Sequence, residues 1–174
     1  MASSLEGLYQ QVILDHAKEK HGHGLRAVSD GSIRSGESRQ YNPLCGDEVT
    51  LRVAISGAAG VPGVDGSADG RLVEDVSWAG EGCSISQAAT SVLHDLVVGH
   101  PVTEALGIVD NYREMLRSRG QIEPDEDVLG DAVAFAGVSR HANRVKCAIL
   151  GWTAFEDALL RSGSDSGPTE GEVR

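Results

Sequence analysis

The sequence is short of positive charge. Its 174 residues include 26 acidic and only 15 basic side chains, which gives a formal net charge of −11. Binding to a nucleic-acid backbone requires a basic face, and attraction to an anionic membrane surface requires clustered lysine and arginine. We therefore expect neither nucleic acid nor a membrane among the partners of this protein.

Long apolar runs are missing as well. No stretch approaches the roughly 20 apolar residues that a membrane-spanning helix needs. The opening residues, MASSLEGLYQQVILDHAKEK, lack the basic leader and apolar block of a secretory signal. The apolar fraction of 40% fits an ordinary globular protein with its own core. We predict one cytoplasmic domain over residues 1–161, and a small, polar, aperiodic tail over residues 162–174 that we expect to be disordered.

Cysteine is also rare in this sequence. The chain contains only Cys45, Cys83 and Cys147, which lie far apart. An odd and widely spaced set does not fit a disulfide framework. The pattern indicates reduced thiols, whose more common uses inside the cell are metal binding and thiol chemistry.

The first half of the chain carries the strand signals. Apolar spacing predicts an amphipathic helix over residues 5–18, which a glycine-rich stretch then ends. Apolar and polar residues alternate over 49–55 and 71–78, as is typical of half-buried strands. A short third strand is expected over 36–43, where Pro43 ends it. Together these segments predict a small antiparallel sheet of about three strands.

The second half returns to helical spacing. It predicts a helix over 83–97 and another over 103–118, with Thr103 as the capping residue of the second. A helical turn is expected near 128–135, and a last helix begins near 139. With strands early and helices late, the fold class is α+β, in which the small sheet packs against a set of helices.

The chemistry concentrates at the cysteines. Cys45 and Asp47 are two residues apart in a turn before a strand, a spacing that lets both side chains reach one ion. Cys83 follows Gly-Glu-Gly at a helix start, where backbone N–H groups and the helix dipole favour a thiolate. Cys147 lies in the first half of the last helix. Three sulfurs and one carboxylate form a reasonable tetrahedral set for zinc, while soft thiolates also suit Cu(I) or an iron–sulfur cluster.

The residues beside Cys147 are basic. Three thiolates and one carboxylate bring about four negative charges, of which a divalent cation cancels only two. Arg144 lies three residues before Cys147 on nearly the same helix face, and Lys146 directly precedes it. We expect both cations to offset part of the remaining charge.

The same cysteines also have a simpler interpretation. Cys83 and Cys147, taken singly, fit an apolar core, and common structural zinc sites use closely spaced pairs that this chain lacks. A second group of ligating side chains occurs in DHAKEKHGHG. A metal site is disfavoured there, because only His16 lies on the helix face while His21 and His23 fall in a glycine-broken loop.

Three ordered segments resemble a known family. YNPLCGDEVTL, WAGEGCSISQAATSVL and RVKCAILGWTAFEDAL are similar to the signature segments of the U-type proteins of iron–sulfur cluster assembly, and LYQQVILDHAKEKHGHG resembles their opening helix. The chain looks most like the SufU branch, because the segment between Cys83 and Cys147 is long and acidic, and Lys146 stands where Isc-type scaffolds carry a histidine ligand. The Pro-rich chaperone-recognition segment of the Isc type is missing, and Ala142 replaces a proline often found there.

The resemblance implies both a fold and a function. It implies a SufU/IscU-like domain with a zinc site built from Cys45, Asp47, Cys83 and Cys147. It also implies a zinc-dependent sulfurtransferase rather than a classical metabolic enzyme. Such a protein accepts persulfide sulfur from a SufS-like cysteine desulfurase, with Cys45 as the acceptor, and passes the sulfur to the cluster-assembly complex.

Two other functions stay open at this point. The same four residues could hold iron while a 2Fe–2S cluster is built, which would make the protein a scaffold, although Lys146 in place of histidine argues against it. The chain could instead be a non-catalytic interaction domain with a purely structural zinc. Such a domain should unfold on chelation and should not stimulate a desulfurase.

Overall fold

A computed structural model describes residues 2–57, 70–163 and 170–172. The elements in chain order are α1 (Ala2–Glu19), β1 (Arg34–Asn42), β2 (Asp47–Ser56), β3 (Leu72–Glu81), α2 (Ser84–Val97), α3 (Val102–Arg117), α4 (Glu126–Leu129), a 3₁₀ helix (Gly130–Arg140), α5 (Ala142–Ser162) and β4 (Glu170–Glu172). The prediction of an α+β fold with a small antiparallel sheet is confirmed. None of the described helices is long and apolar enough to cross a membrane.

The sheet has the order β3-β2-β1-β4. β1 and β2 form an antiparallel hairpin whose register pairs Asn42 with Asp47. β2 and β3 are also antiparallel, and Leu51 lies opposite Trp78. The loop between β2 and β3 falls largely outside the described residues. These pairings bring the turn after β1, the start of β2 and the end of β3 to one edge of the sheet.

The C-terminal segment contains a strand that the sequence did not predict. Glu170–Glu172 pair with Arg39–Tyr41 of β1 in parallel, so a wholly disordered segment over 162–174 is at odds with the structure at these residues. α5 also continues to Ser162. Residues 164–169 and 173–174 lie outside the described residues, and for them the disordered tail stays a prediction.

α5 is the central helix of the packing. It lies across β1 and β2 on one side and contacts α2 and α3 on the other. Tyr112 of α3 stacks on Trp152 of α5 with ring centroids 3.7 Å apart, and its hydroxyl donates to the backbone oxygen of Ala148 at 3.1 Å. The Trp152 indole N–H donates to the oxygen of Ala89 on α2 at 3.0 Å. Burial of these rings with their polar atoms paired fixes the depth and rotation of α5.

The boundaries of the helices differ from the predictions in two places. α3 begins at Val102 after Pro101, and no side chain caps it, so the prediction of Thr103 as the cap is wrong. Pro101 suits this position because its φ of −55° and its missing N–H are both compatible with the start of a helix. The helical turn near 128–135 is longer than predicted, because α4 leads directly into the 3₁₀ helix Gly130–Arg140.

Candidate metal centre

Four separate elements converge at the edge of the sheet. Cys45 lies in the turn between β1 and β2, and Asp47 is the first residue of β2. Cys83 is the residue that precedes the first turn of α2. Cys147 is in the second turn of α5, whose path across β1 and β2 carries it to the same edge. The strand register and the position of α5 therefore bring together residues that are far apart in the sequence.

Three of the four predicted side chains form a tight group. The Cys45 Sγ atom lies 3.0 Å from Asp47 Oδ2 and 3.1 Å from Cys147 Sγ. One ligand atom from each of these three residues lies within 4.8 Å of the others. Described cysteines are all free thiols. Two sulfurs and a carboxylate oxygen thus lie close enough together for one cation to bind all three after a small outward movement of the sulfurs.

Cys83 stands at the rim of this group. Its backbone N–H donates to Asp47 Oδ1 at 2.8 Å, and its Sγ atom lies 3.7 Å from Asp47 Oδ2. The thiol is exposed and does not belong to the set of ligand atoms within 4.8 Å of one another. Asp47 is therefore the residue that all three cysteines share, and Cys83 contacts the group through it.

Burial and crowding set the protonation of the thiols. Asp47 and Cys147 are 1% and 5% exposed, whereas Cys45 is exposed. Burial raises the pKa of Cys147, and the hydrogen bonds to Asp47 and Cys45 raise it further. Burial and the Asp47 carboxylate likewise raise the pKa of Cys45. Without a cation the Cys45 and Cys147 thiols accordingly keep their protons.

Asp47 has the opposite shift. Burial alone would raise its pKa, but hydrogen bonds from the Cys147 and Cys45 thiols and the backbone N–H of Cys83 outweigh burial and lower it. The carboxylate is thus held charged among protonated thiols. A cation that displaced those protons would convert the same contacts into metal–ligand bonds.

Two residues that sequence reasoning missed shape the site. The side-chain amide of Asn42 donates to Cys45 Sγ at 2.8 Å, while its oxygen accepts the N–H of Leu44 at 3.1 Å. Gly82 has no side chain to collide with Asp47, since a Cβ there would lie 2.7 Å from Asp47 Oδ1. The signal for Asn42 was its place before Pro43, where asparagine commonly folds its side chain back onto the turn.

The two cations near Cys147 do not pair with the site. Within the described part of the chain, Arg144 and Lys146 form no ion pair with Asp47. Lys146 instead lines an open cavity of 790 Å³ on the flank of α5, together with Arg117 and Arg140. Their charge-offsetting role remains a prediction that these contacts do not support.

Thiols and a carboxylate gathered at one sheet edge of a small α+β domain form a donor set that suits a metal ion. The family model described as the NifU-like N terminal domain matches residues 8–148. The chain belongs to this family, and the resemblance to the U-type proteins is confirmed.

Two relatives cover most of the chain. The chain is 35% identical to "Iron-sulfur cluster assembly scaffold protein IscU" of Streptococcus pyogenes serotype M1 over 173 residues, which cover 99% of this chain and 95% of that protein. It is 32% identical to "Zinc-dependent sulfurtransferase SufU" of Bacillus subtilis (strain 168) over 160 residues, or 91% and 94% of the two chains.

Solved structures support the same fold. A cluster assembly scaffold protein of the SUF system from Fervidobacterium islandicum AW-1 is 34% identical, with a TM-score of 0.61 over 86% of this chain and 94% of that one. A nitrogen-fixing NifU-like protein from Brucella abortus has a TM-score of 0.68 over 93% and 99% of the chains. At 21% identity the second likeness supports the fold alone.

Proposed function

We propose that the chain is an iron–sulfur cluster assembly protein of the IscU/SufU type that acts as a zinc-dependent sulfur carrier. It would accept persulfide sulfur from a cysteine desulfurase and pass it to the cluster-assembly machinery. One observation carries this proposal. The exposed thiol of Cys45 lies 3.1 Å from the buried thiol of Cys147 and 3.0 Å from Asp47, so a reachable nucleophile forms part of a group of candidate metal ligands.

The donor set fits zinc. Cys45, Asp47, Cys83 and Cys147 would supply three sulfurs and one oxygen, and Cys83 can join the other three by rotation about its Cα–Cβ bond because its side chain is exposed. Burial and the shared Asp47 carboxylate raise the pKa of Cys45 and of Cys147, and a bound cation would offset both effects by stabilising the thiolates. Bound zinc would keep these sulfurs deprotonated at neutral pH.

Cys45 is the residue best placed to accept sulfur. It lies in a turn, next to Gly46 with a φ of +74°, and its side chain faces solvent. Cys147 is buried on α5, and Cys83 is held at a helix start by the bond from its N–H to Asp47. A turn residue can move outward without disturbing a helix, so Cys45 can leave the group while the other ligands stay.

The transfer step is a thiol exchange. The Cys45 thiolate attacks the outer sulfur of the desulfurase persulfide, and a new sulfur–sulfur bond forms at Cys45 Sγ. The bond between the two sulfurs of the desulfurase persulfide breaks, and its electron pair leaves on the desulfurase cysteine as a thiolate. Cys45 then carries the persulfide, and no outside oxidant or reductant is consumed.

The test is a sulfur-transfer assay with a SufS-like desulfurase and free cysteine. Intact-mass measurement should show wild-type protein gaining one sulfur atom and the desulfurase turning over faster. Cys45→Ala should fold normally, gain no sulfur and give no stimulation. The control is Ser84→Ala, an exposed residue beside Cys83, which should behave as wild type. Sulfur acceptance by Cys45→Ala would refute the assignment of this residue.

The scaffold is the second candidate. The name of the Streptococcus pyogenes relative favours it, and three cysteines with an aspartate are able to hold a 2Fe–2S cluster. Purification without oxygen, followed by metal and sulfide analysis, distinguishes the two. A sulfur carrier should contain tightly bound zinc, whereas a scaffold should contain labile iron and sulfide and should still assemble clusters when sulfur is supplied as free sulfide.

A further inference from the structure

A second group of ligating side chains lies where α1 packs against α2. His16 is in the last turns of α1, His21 follows its end, and Asp95 is on α2. One ligand atom from each lies within 4.8 Å of the others. The rings of His16 and His21 meet edge to face with centroids 5.1 Å apart. The sequence placed His16 on a helix face and His21 in a loop, and the fold brings the two side chains together.

The Nε2 atom of each histidine ring lies beside a carboxylate. His16 Nε2 lies 3.1 Å from Asp131 Oδ2, and His21 Nε2 lies 2.8 Å from Glu19 Oε2. Metal-binding histidines almost always donate their second ring N–H to such a partner, which fixes the tautomer and orients the ring. In both residues this arrangement leaves Nδ1 as the atom available to a ligand.

The two Nδ1 atoms face polar groups of α2. His16 Nδ1 lies 2.8 Å from Ser91 Oγ, and His21 Nδ1 lies 2.6 Å from Asp95 Oδ2. The Ser91 hydroxyl also accepts the backbone N–H of His21 at 2.9 Å, so its own hydrogen is free to donate to His16 Nδ1. A Ser91 hydroxyl that donates to His16 Nδ1 matches the His16 tautomer with its proton on Nε2, in which Nδ1 carries a free lone pair.

The charge balance of the cluster favours a divalent ion. Both nitrogens of His21 face carboxylates, Asp95 at Nδ1 and Glu19 at Nε2. A third carboxylate, Asp131, faces Nε2 of the neighbouring His16. A divalent ion between His21 and Asp95 would bring positive charge to this group of three carboxylates.

We propose that His16, His21 and Asp95 form a second cation site, of two histidines and one carboxylate, that binds a first-row divalent metal such as Zn²⁺ and fastens the end of α1 to α2. Imidazole and carboxylate ligands suit zinc, cobalt, nickel and ferrous iron, and three protein ligands leave a position for water. The site contains no sulfur, so its chemistry is distinct from that of the cysteine centre.

The required movement is small. Two ligands of a tetrahedral zinc ion stand about 3.3 Å apart, given bond lengths of about 2.0 Å, whereas His21 Nδ1 and Asp95 Oδ2 are now 2.6 Å apart. Their side chains are 37% and 42% exposed, so both can shift outward. His16, at 6% exposed, provides the fixed third point.

Calorimetric titration of the metal-free full chain with Zn²⁺ tests the proposal. Wild type should bind two equivalents, and His21→Ala and Asp95→Asn should bind one. Cys45→Ser should keep the second site. Glu19→Gln, which removes only the partner of His21 Nε2, should weaken that site by about 10–100-fold. A single equivalent bound by wild type and retained by both His21→Ala and Asp95→Asn, or two equivalents bound by both variants, overturns the proposal.

Cobalt distinguishes the two centres spectroscopically. Co²⁺ bound by thiolates absorbs strongly in the near ultraviolet, whereas Co²⁺ bound by nitrogen and oxygen does not. The second equivalent should therefore add visible absorption alone, and His21→Ala should abolish that addition. His100→Ala is the matched control, because His100 pairs with Glu104 on the surface at 3.3 Å and belongs to no described three-ligand group. A near-ultraviolet increase with the second equivalent would place that ion at the cysteines and overturn the proposal.

Hydrogen exchange tests the fastening of α1. Zinc at the second site should slow exchange of the backbone amides over residues 16–21, because opening of this segment would require the metal to leave. The slowing should persist in Cys45→Ser and vanish in His21→Ala, whose circular dichroism provides the check that the variant is folded. Equal slowing in both variants would contradict a metal-dependent contact between α1 and α2.

Discussion

At the scale of single residues, the cysteine centre depends on neighbours that are not themselves ligands. Asn42 is fully buried and uses both ends of its amide, one on Cys45 Sγ and the other on the N–H of Leu44. Its amide therefore sets the position of the exposed thiol and the shape of the turn together. Partners of this kind orient the ligands of a metal ion, and their loss commonly weakens metal binding.

Replacing Asn42 tests this supporting role. Asn42→Ala should weaken zinc binding at the cysteine centre by about 10–100-fold, because the turn loses the bond that orients Cys45. The N–H of Leu44 would also lose its partner, so the free energy of unfolding should fall by about 1–3 kcal/mol. Competition against a zinc indicator measures the affinity, and urea unfolding measures the stability.

Asn111→Ala is the matched control for this change. Asn111 is exposed and only bonds to the Gly107 oxygen within its own helix. Both the zinc affinity and the unfolding midpoint should stay close to the wild-type values. An equal loss of affinity in the two variants would show that Asn42 has no special part in the site.

At the scale of secondary-structure elements, the close approach of α5 to β1 holds the centre together. Gly36 of β1 lies directly under the C-terminal half of α5, where an added Cβ would lie 1.9 Å from the Ala158 backbone oxygen and 2.6 Å from the Ser162 nitrogen. Both are backbone atoms and cannot swing aside. α5 carries Cys147 to the edge of the sheet, so this approach also sets where Cys147 meets Cys45.

A pair of glycine substitutions tests the packing of α5. Gly36→Ala should lower the thermal midpoint and weaken zinc binding, because overpacking commonly costs about 1–3 kcal/mol and moves α5 away from the sheet. Gly7→Ala should raise the free energy of unfolding by about 0.5–1 kcal/mol, and the thermal midpoint slightly with it. Gly7 is an exposed helix residue, and no atom lies near its Cβ position. Calorimetry measures both, and a neutral Gly36→Ala would contradict this account of the contact.

At the scale of the whole molecule, the core does not depend on the metal centre. The buried apolar residues run from the sheet through α2, α3 and α5 in one cluster, which includes none of the four predicted ligands. The centre joins four elements only at the edge of the sheet. This separation fits the proposed sulfur-carrier function, because release of Cys45 from a metal would then leave the fold intact.

Removal of metal should therefore lower stability without unfolding the chain. A chelator should reduce the thermal midpoint while the helical circular dichroism at 25 °C stays unchanged. Zinc at 100 times its dissociation constant should restore about 2.7 kcal/mol. His21→Ala should show the same gain of stability on addition of zinc, because the cysteine centre is intact in that variant. Loss of helical signal on chelation would instead support the structural zinc domain.

The sequence alone determined the element types and the chemistry of the ligands. Alternation over 49–55 and 71–78 and helical spacing after residue 82 are local patterns, and the α+β fold they predicted is confirmed. The spacing of Cys45 and Asp47 also predicted that both side chains could reach one ion, and the two side chains lie 3.0 Å apart. Such signals are readable because each is set by residues a few positions apart.

Only the tertiary structure decided which distant residues meet. Spacing could not tell that Cys147 lies against Cys45 while Cys83 stands at the rim, since this follows from the path of α5 across the sheet. Nor could it tell that His16 and His21 meet, because the side chains that both contact, Ser91 and Asp95, are on α2. Packing between elements sets these contacts, and packing depends on the shape of the whole core, which no local pattern encodes.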